Sequence, residues 1–332
     1  MTTLSSTFDN VRLTLSLALL RWYIIPGAKL RVYLARVRGR KGPTLMHVVT
    51  NATIQWFAKS LSTLQFRAVT SACVDVQALL AGCPSLLEEN AQCGSVNATE
   101  FDGLWLSRAP GATHTIMYIH GGGFVSGSPC SAASYLLQLA VELRARGVLV
   151  DILAVGYDLA PEHPFPHALR QISSAYTYIL ARGKPIVLAG DSAGGNLCLA
   201  LLRHLSEPHP AIPPVDCGIQ AGVLVATCAD GIVAPGTPGV IAACLMSPWV
   251  NLRNDGESYH RNASKDCLHR GALNTWSKAY LDSQPMDKYT CPITCTTGWA
   301  AALPASTLLM SGELDLFVAD ILAFASNVEK VS

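Results

Sequence analysis

Ser192 stands in Gly190-Asp191-Ser192-Ala193-Gly194, a G-x-S-x-G spacing between an apolar run, Pro185-Ile-Val-Leu-Ala189, and a helical pattern from Asn196 to Leu205. A serine hydroxyl attacks a carbonyl carbon when it is thrust out of a tight strand-to-helix turn and a base can take its proton. The flanking positions of such a turn are too crowded for side chains, which accounts for the glycines. The helix that follows aims its N-terminal N–H groups at the same point, where they favour developing negative charge. Upstream, the apolar run Thr115-Ile-Met-Tyr-Ile119 ends in His120-Gly121-Gly122-Gly123. Backbone without side chains can approach a substrate oxygen and offer N–H donors to a tetrahedral oxyanion, joined by the N–H of Ala193. The two motifs, in this order and each after a strand, point to acyl-transfer chemistry.

These segments need a frame that brings their ends together. Apolar runs at 115–119, 148–155, 185–189, 240–246 and 306–310 read as buried strands. Helical spacing at Leu169, Ile172, Ala175, Tyr176 and Ile179 reads as a helix over 167–181. Strands alternating with helices predict an α/β fold with a mainly parallel, doubly wound sheet and right-handed crossovers. Residues 111–332 are expected to form that domain. Residues 1–110 are expected to form an N-terminal cap or membrane-associating region.

The combination of His120-Gly-Gly-Gly-Phe124, Tyr157-Asp-Leu-Ala-Pro-Glu-His-Pro-Phe-Pro166, Gly190-Asp-Ser-Ala-Gly-Gly-Asn196, Ser247-Pro-Trp249 and Gly312-Glu-Leu-Asp-Leu316 resembles the hormone-sensitive-lipase-like branch of the α/β-hydrolase superfamily, the α/β-hydrolase fold-3 carboxylesterases. The match covers residues 115–320. The apolar N-terminus further resembles fungal members, some of them membrane-associated steryl-acetate hydrolases. The resemblance implies an α/β-hydrolase fold and a serine carboxylic-ester hydrolase that works through an acyl-enzyme on a lipophilic or acetylated small molecule, with no metal or cofactor. By position it implies Ser192 as nucleophile, Gly122, Gly123 and Ala193 as oxyanion hole, and Asp315 as the acid, with Glu313 as second choice. Asp191, Asp158 and Glu162 are expected to support the site. His120, His163 and His167 are expected to be hydrogen-bonded loop histidines.

Two departures from the family pattern stand out. The family order is Ser, then Asp, then His, yet none of the nine histidines follows Asp315. The reading is a C-terminal truncation that removes the last strand, the closing helix and the base. In a comparable hydrolase, loss of that histidine costs roughly 10⁶ in turnover. The stretch Pro214–Ile232 interrupts a family-like run and reads as an insertion, either a lid or translated non-coding sequence. Alternatives to the hydrolase are a catalytically dead small-molecule-binding protein on the same scaffold, as in the plant gibberellin receptors, and a non-functional fragment.

Composition closes other routes. Lys+Arg 24 against Asp+Glu 23 gives a net charge of +1, with no basic surplus for nucleic acid. Half the chain is hydrophobic, which excludes disorder. Eleven cysteines form no C-x-x-C pair and read as free thiols, with no zinc or redox motif. Three sequons, at Asn51, Asn97 and Asn262, point instead to a secretory lumen. Leu13–Ile25 is apolar but interrupted by Arg21 and ended by Pro26, too short to span a bilayer. With the basic residues that follow, residues 11–41 read either as a peripheral membrane contact or as an amphipathic cap helix. Localisation is left between cytoplasm and the endoplasmic reticulum membrane.

Overall fold

The computed structural model describes residue 14 and residues 18–37, 44–70, 74–215 and 239–329. Seven strands form one sheet: β1 (Gln92–Asn97), β2 (Asp102–Arg108), β3 (His114–Ile119), β4 (Val150–Val155), β5 (Pro185–Asp191), β6 (Gly239–Met246) and β7 (Ser306–Met310). Their order is β1-β2-β4-β3-β5-β6-β7, with β2 antiparallel to both neighbours and β3 to β7 parallel. β3 and β4 are almost wholly buried, as strands covered on both faces must be. Alternate side chains feed two cores. Met117, Ile119, Leu153, Val155, Ile186 and Leu188 face one side, and Ile116, Tyr118, Ile152, Ala154 and Ala189 face the other.

In chain order the helices before the sheet are α1 (Ile25–Val37), α2 (Leu45–Ser60), α3 (Thr63–Thr70), α4 (Val76–Ala81) and α5 (Pro84–Leu87). Those within and after it are α6 (Ala133–Ala145), α7 (His167–Leu180), α8 (Ala193–Ser206), α9 (Ser258–Arg261), α10 (Arg270–Leu281), α11 (Trp299–Ala302) and α12 (Val318–Glu329). α7, α8 and α12 pack on the first core, α6 with α4 and α5 on the second. α8 is buried from Ala193 to His204, so the element that follows Ser192 is the centre of the domain and not its rim. α2 and α3 lie over the later part of the chain. Gln55 Nε2 donates to the carbonyls of Ala263, Asp266 and Leu268, and Phe66 lies 4.9 Å from Trp276, ring to ring.

The doubly wound α/β expectation holds, with one refinement. β1 and β2 lie before residue 111, so the sheet draws two antiparallel strands from the N-terminal region. Gln92-Cys-Gly-Ser-Val-Asn97 carries little apolar pattern, and cross-strand pairing with β2 makes it a strand. Pro26, which ends the apolar run, sits in the first turn of α1, where a missing N–H costs nothing, directly after the π-helical turn Leu20–Ile24. No helix among the described residues is long and apolar enough to cross a membrane. The expected insertion at 214–232 lies, from residue 216 on, outside the described residues. The expectation of free thiols is corrected at Cys130, which is disulfide-bonded, while Cys83, Cys93, Cys198, Cys244, Cys267, Cys291 and Cys295 are free. Pairing depends on which thiols the fold brings together, which spacing alone does not encode.

Leu199 is fully buried in the middle of α8. Leu199→Ala is expected to lower the unfolding free energy by about 2–5 kcal/mol, read from the urea midpoint by circular dichroism.

Candidate active site

Four loops meet at the C-terminal ends of the parallel strands, the position at which open α/β sheets carry their sites. They follow β3 at His120, β5 at Ser192, β6 at Ser247 and β7 at Ser311. Register holds these ends level: Ile119 pairs with Gly190, Asp191 with Met246, and Met246 with Met310.

The chain passes from β5 into α8 within one residue. Ser192 takes φ 52° and ψ −117°, a conformation costly for any residue with a side chain. It persists because Ser192 N–H donates to Met246 O at 2.9 Å and Trp249 N–H donates to Ser192 O at 2.9 Å. A Cβ at Gly194 would stand 2.0 Å from Ile119 O, so only glycine lets α8 start this close to β3. The Ser192 hydroxyl does not cap α8 and has no hydrogen-bond partner among the described residues. Asn196, completely buried, donates from Nδ2 to the carbonyls of Trp249 and Thr290, both at 2.8 Å.

Gly122 (φ 114°) and Gly123 (φ 64°) form the turn after β3, and a Cβ on Gly122 would meet Ser126 O at 2.1 Å. The turn closes on itself, with Ser126 N–H and Oγ both donating to Gly122 O at 3.0 Å. It is tied to the elbow by Asp191, whose Oδ1 accepts from Gly121 N–H at 2.8 Å and Tyr118 O–H at 2.6 Å. Burial and the Asp191 carboxylate push the Tyr118 phenol far above its usual range, which keeps it a donor. The N–H groups of Gly122, Gly123 and Ala193 donate to no group among the described residues. Among the unpaired N–H groups of this turn and of the start of α8 are those of the three residues expected to hold an oxyanion.

The outer side of this turn is held by residues that no motif announced. Arg67 on α3 donates to Val125 O at 2.8 Å and to Ala160 O at 2.7 Å, and pairs with Glu162 at 2.9 Å. Ala160 N–H donates to Phe124 O, and the Phe124 ring stacks on Tyr280 with centroids 3.7 Å apart. Trp276 presses on Gly123, where a Cβ would lie 2.5 Å from its ring. The supporting roles expected for Asp191 and Glu162 are thus visible as contacts.

Asp315 is half-buried after β7. Its Oδ1 accepts from Phe317 N–H at 2.9 Å, its Oδ2 from Ser311 Oγ at 3.3 Å, and Ser247 also bonds the carboxyl. Burial pushes this carboxyl up from the usual carboxylate range, and the nearby Asp266 charge adds to the rise. The Phe317 N–H and the Ser247 and Ser311 hydroxyls oppose it. Glu313, the second choice, is exposed. The acid loop is clamped from 258–266: Asn262 Nδ2 donates to Glu313 O and Asp315 O, Asp266 Oδ2 accepts from Leu316 N–H, and Ser258 Oγ donates to Leu316 O. Asn262 is therefore a buried structural amide, although it heads a sequon.

No histidine among the described residues bonds Ser192 or Asp315. His120 is buried, stacks on Tyr157 and donates from Nδ1 to Gly121 O at 2.7 Å. Burial holds its pKa below the usual imidazole value, so it is neutral. His167 bonds Asp158 at 2.9 Å, and the His163 ring lies beside it. His120 is the hydrogen-bonded loop histidine expected, whereas His167 begins α7 and His163 makes a ring contact rather than a side-chain hydrogen bond.

Ser192 thus stands in a strained turn after the central parallel strand β5, and the glycine turn follows the adjacent strand β3. The family model for the alpha/beta hydrolase fold matches residues 116–332. An esterase of Acinetobacter venetianus is 31% identical over 225 residues, 66% of this chain and 62% of that protein. Hormone-sensitive lipase of Homo sapiens is 42% identical over 152 residues, 44% of this chain and 13% of that protein. A solved esterase from the bacterial hormone-sensitive lipase family shares the fold, with TM-score 0.62 and 24% identity over 87% of this chain and 86% of that one. The chain belongs to the α/β-hydrolase fold family. It spans less than two thirds of the curated relatives it matches.

A carboxyl whose pKa is higher folded than unfolded holds protons more readily in the native state, so stability falls as pH rises from the unfolded value through the folded one. Asp315→Asn is expected to be more stable than wild type above that window and equal to it below. Urea unfolding at about pH 7.5 and about pH 3 checks both halves. Asn262→Ala leaves two loop carbonyls without their donor and is expected to cost about 1–3 kcal/mol in the same assay.

Proposed function

We propose that this protein is a serine carboxylic-ester hydrolase. Ser192 Oγ forms a bond to the acyl carbon, and the carbonyl oxygen takes up negative charge against the N–H groups of Gly122, Gly123 and Ala193. The C–O bond to the alcohol then breaks, the alcohol leaving with the serine's proton. Water attacks the resulting acyl-enzyme and releases the acid and free Ser192. The observation that carries this reading is the set of three unpartnered N–H groups around a strained serine whose hydroxyl is uncommitted. The names of the relatives support it. Asp315 is the acid that would orient a base. A lipophilic acyl or alcohol group fits the Trp276 and Phe66 rings beside Gly123. Peripheral contact with a membrane through residues 11–41 is part of the same proposal, supported by exposed Leu19, Tyr23, Leu30 and Tyr33 next to exposed Arg21 and Lys29.

One observation favours a second reading, a small-molecule-binding protein on this scaffold. The Asp315 carboxyl is occupied by Ser311, Ser247 and Phe317 N–H, with no histidine among its partners. The two readings part in an assay of p-nitrophenyl acetate to octanoate with folded wild type and Ser192→Ala. The hydrolase reading expects turnover above the uncatalysed background that the substitution abolishes. Equal background rates from the two folded proteins overturn it for this chain and leave the binding reading.

A further inference from the structure

We propose that Asp158, His163 and His167 form a zinc(II) site on the surface of the loop beside the glycine turn. One ligand atom from each residue lies within 4.8 Å of the others. All three come from a single ten-residue stretch, so the ligands of the chelate are local in the chain.

Two imidazole nitrogens and one carboxylate oxygen are a donor set that zinc binds well, leaving a further position to water. Zinc bonds of about 2.0–2.2 Å place ligand atoms of a tetrahedral site about 3.3 Å apart. His167 Nε2 and Asp158 Oδ2 are already 2.9 Å apart, and the His163 and His167 ring centroids are 4.7 Å apart. The remaining closure needs only rotation of side chains that are free to turn, since Asp158 is 49% and His167 31% exposed. The hydrogen now shared between His167 Nε2 and Asp158 moves to Nδ1 of the same ring, and Nε2 offers its lone pair to the metal.

The backbone beneath the cluster is fixed before any ion arrives. Arg67 donates to Ala160 O and pairs with Glu162, Ala160 N–H donates to Phe124 O, and Phe165 N–H donates to Tyr280 O. Gln171 supplies a second layer. Its Nε2 donates to Asp158 Oδ2 at 3.0 Å while its Oε1 accepts from Asp158 N–H at 2.7 Å, which orients the carboxylate. Glu162, the other nearby carboxylate, is engaged by Arg67 and is not a competing ligand. This site does not rest on ester hydrolysis and takes no part in it.

The test is zinc binding by tag-free protein in competition with a chromogenic indicator, beside His163→Ala, His167→Ala and Gln171→Ala, each confirmed folded by circular dichroism. One equivalent bound with a micromolar or tighter Kd is expected. Each histidine variant should bind at least about tenfold more weakly, and Gln171→Ala should be affected less. Zinc should also raise the melting temperature of wild type and not of His167→Ala. Cobalt(II) replaces zinc to report the ligands, because the free cysteines are the competing donors. A spectrum with thiolate charge-transfer bands overturns the proposal. So does a wild type that takes up no zinc at micromolar concentration, or uptake that both histidine variants retain in full.

Discussion

The structure turns on one unfavourable peptide conformation. Between the last residue of β5 and the first of α8 the chain reverses through Ser192 at positive φ, a geometry that isolated sequence would not hold. The backbone bonds to Met246 O and from Trp249 N–H hold it from the β6 side, and Gly194 lets the helix start against Ile119 from the β3 side. The turn is therefore stable only inside a finished sheet with β3 and β6 on either side of β5. Placing α8 wholly within the core ties that local strain to the stability of the whole domain.

Around the turn, buried polar side chains do what apolar packing cannot: they fix loops at particular distances. Asp191 joins the elbow to the glycine turn, Asn196 joins α8 to the loops at Trp249 and Thr290, and Asn262 with Asp266 joins the 258–266 segment to the acid loop. Each leaves few alternatives, because a buried donor or acceptor without its partner is costly. The same economy explains why the three glycine-loop and elbow N–H groups stand out. Among the described residues they meet no acceptor, whereas the loops around them are bonded to one another.

Much of this was legible in the sequence, for a physical reason. Strands buried on both faces must be continuous apolar runs, so β3, β5 and β6 were marked to within a residue or two by hydrophobicity alone, and β7, though half-exposed, carries an apolar run too. The turns at Gly122 and Ser192 could be read because glycine is required there. β1 was not legible, since its polar residues become a strand only by pairing with β2. Nor were Arg67, Asn262, Asp266 and Trp276. Nothing in a lone arginine or asparagine says which carbonyl it will meet 50 or more residues away. The disulfide at Cys130 was hidden for the same reason.

Arg67 gives the molecule an uneven outline. The family model begins at residue 116, yet the guanidinium that holds Val125 O, Ala160 O and Glu162 comes from α3, some fifty residues earlier, and the ring that meets Trp276 is its neighbour Phe66. The segment that can be recognised and the segment that must be present for the glycine turn to keep its shape have different starting points. Two chains could share every motif from β3 onward and still differ in what they admit to Ser192, through the helices that precede any motif.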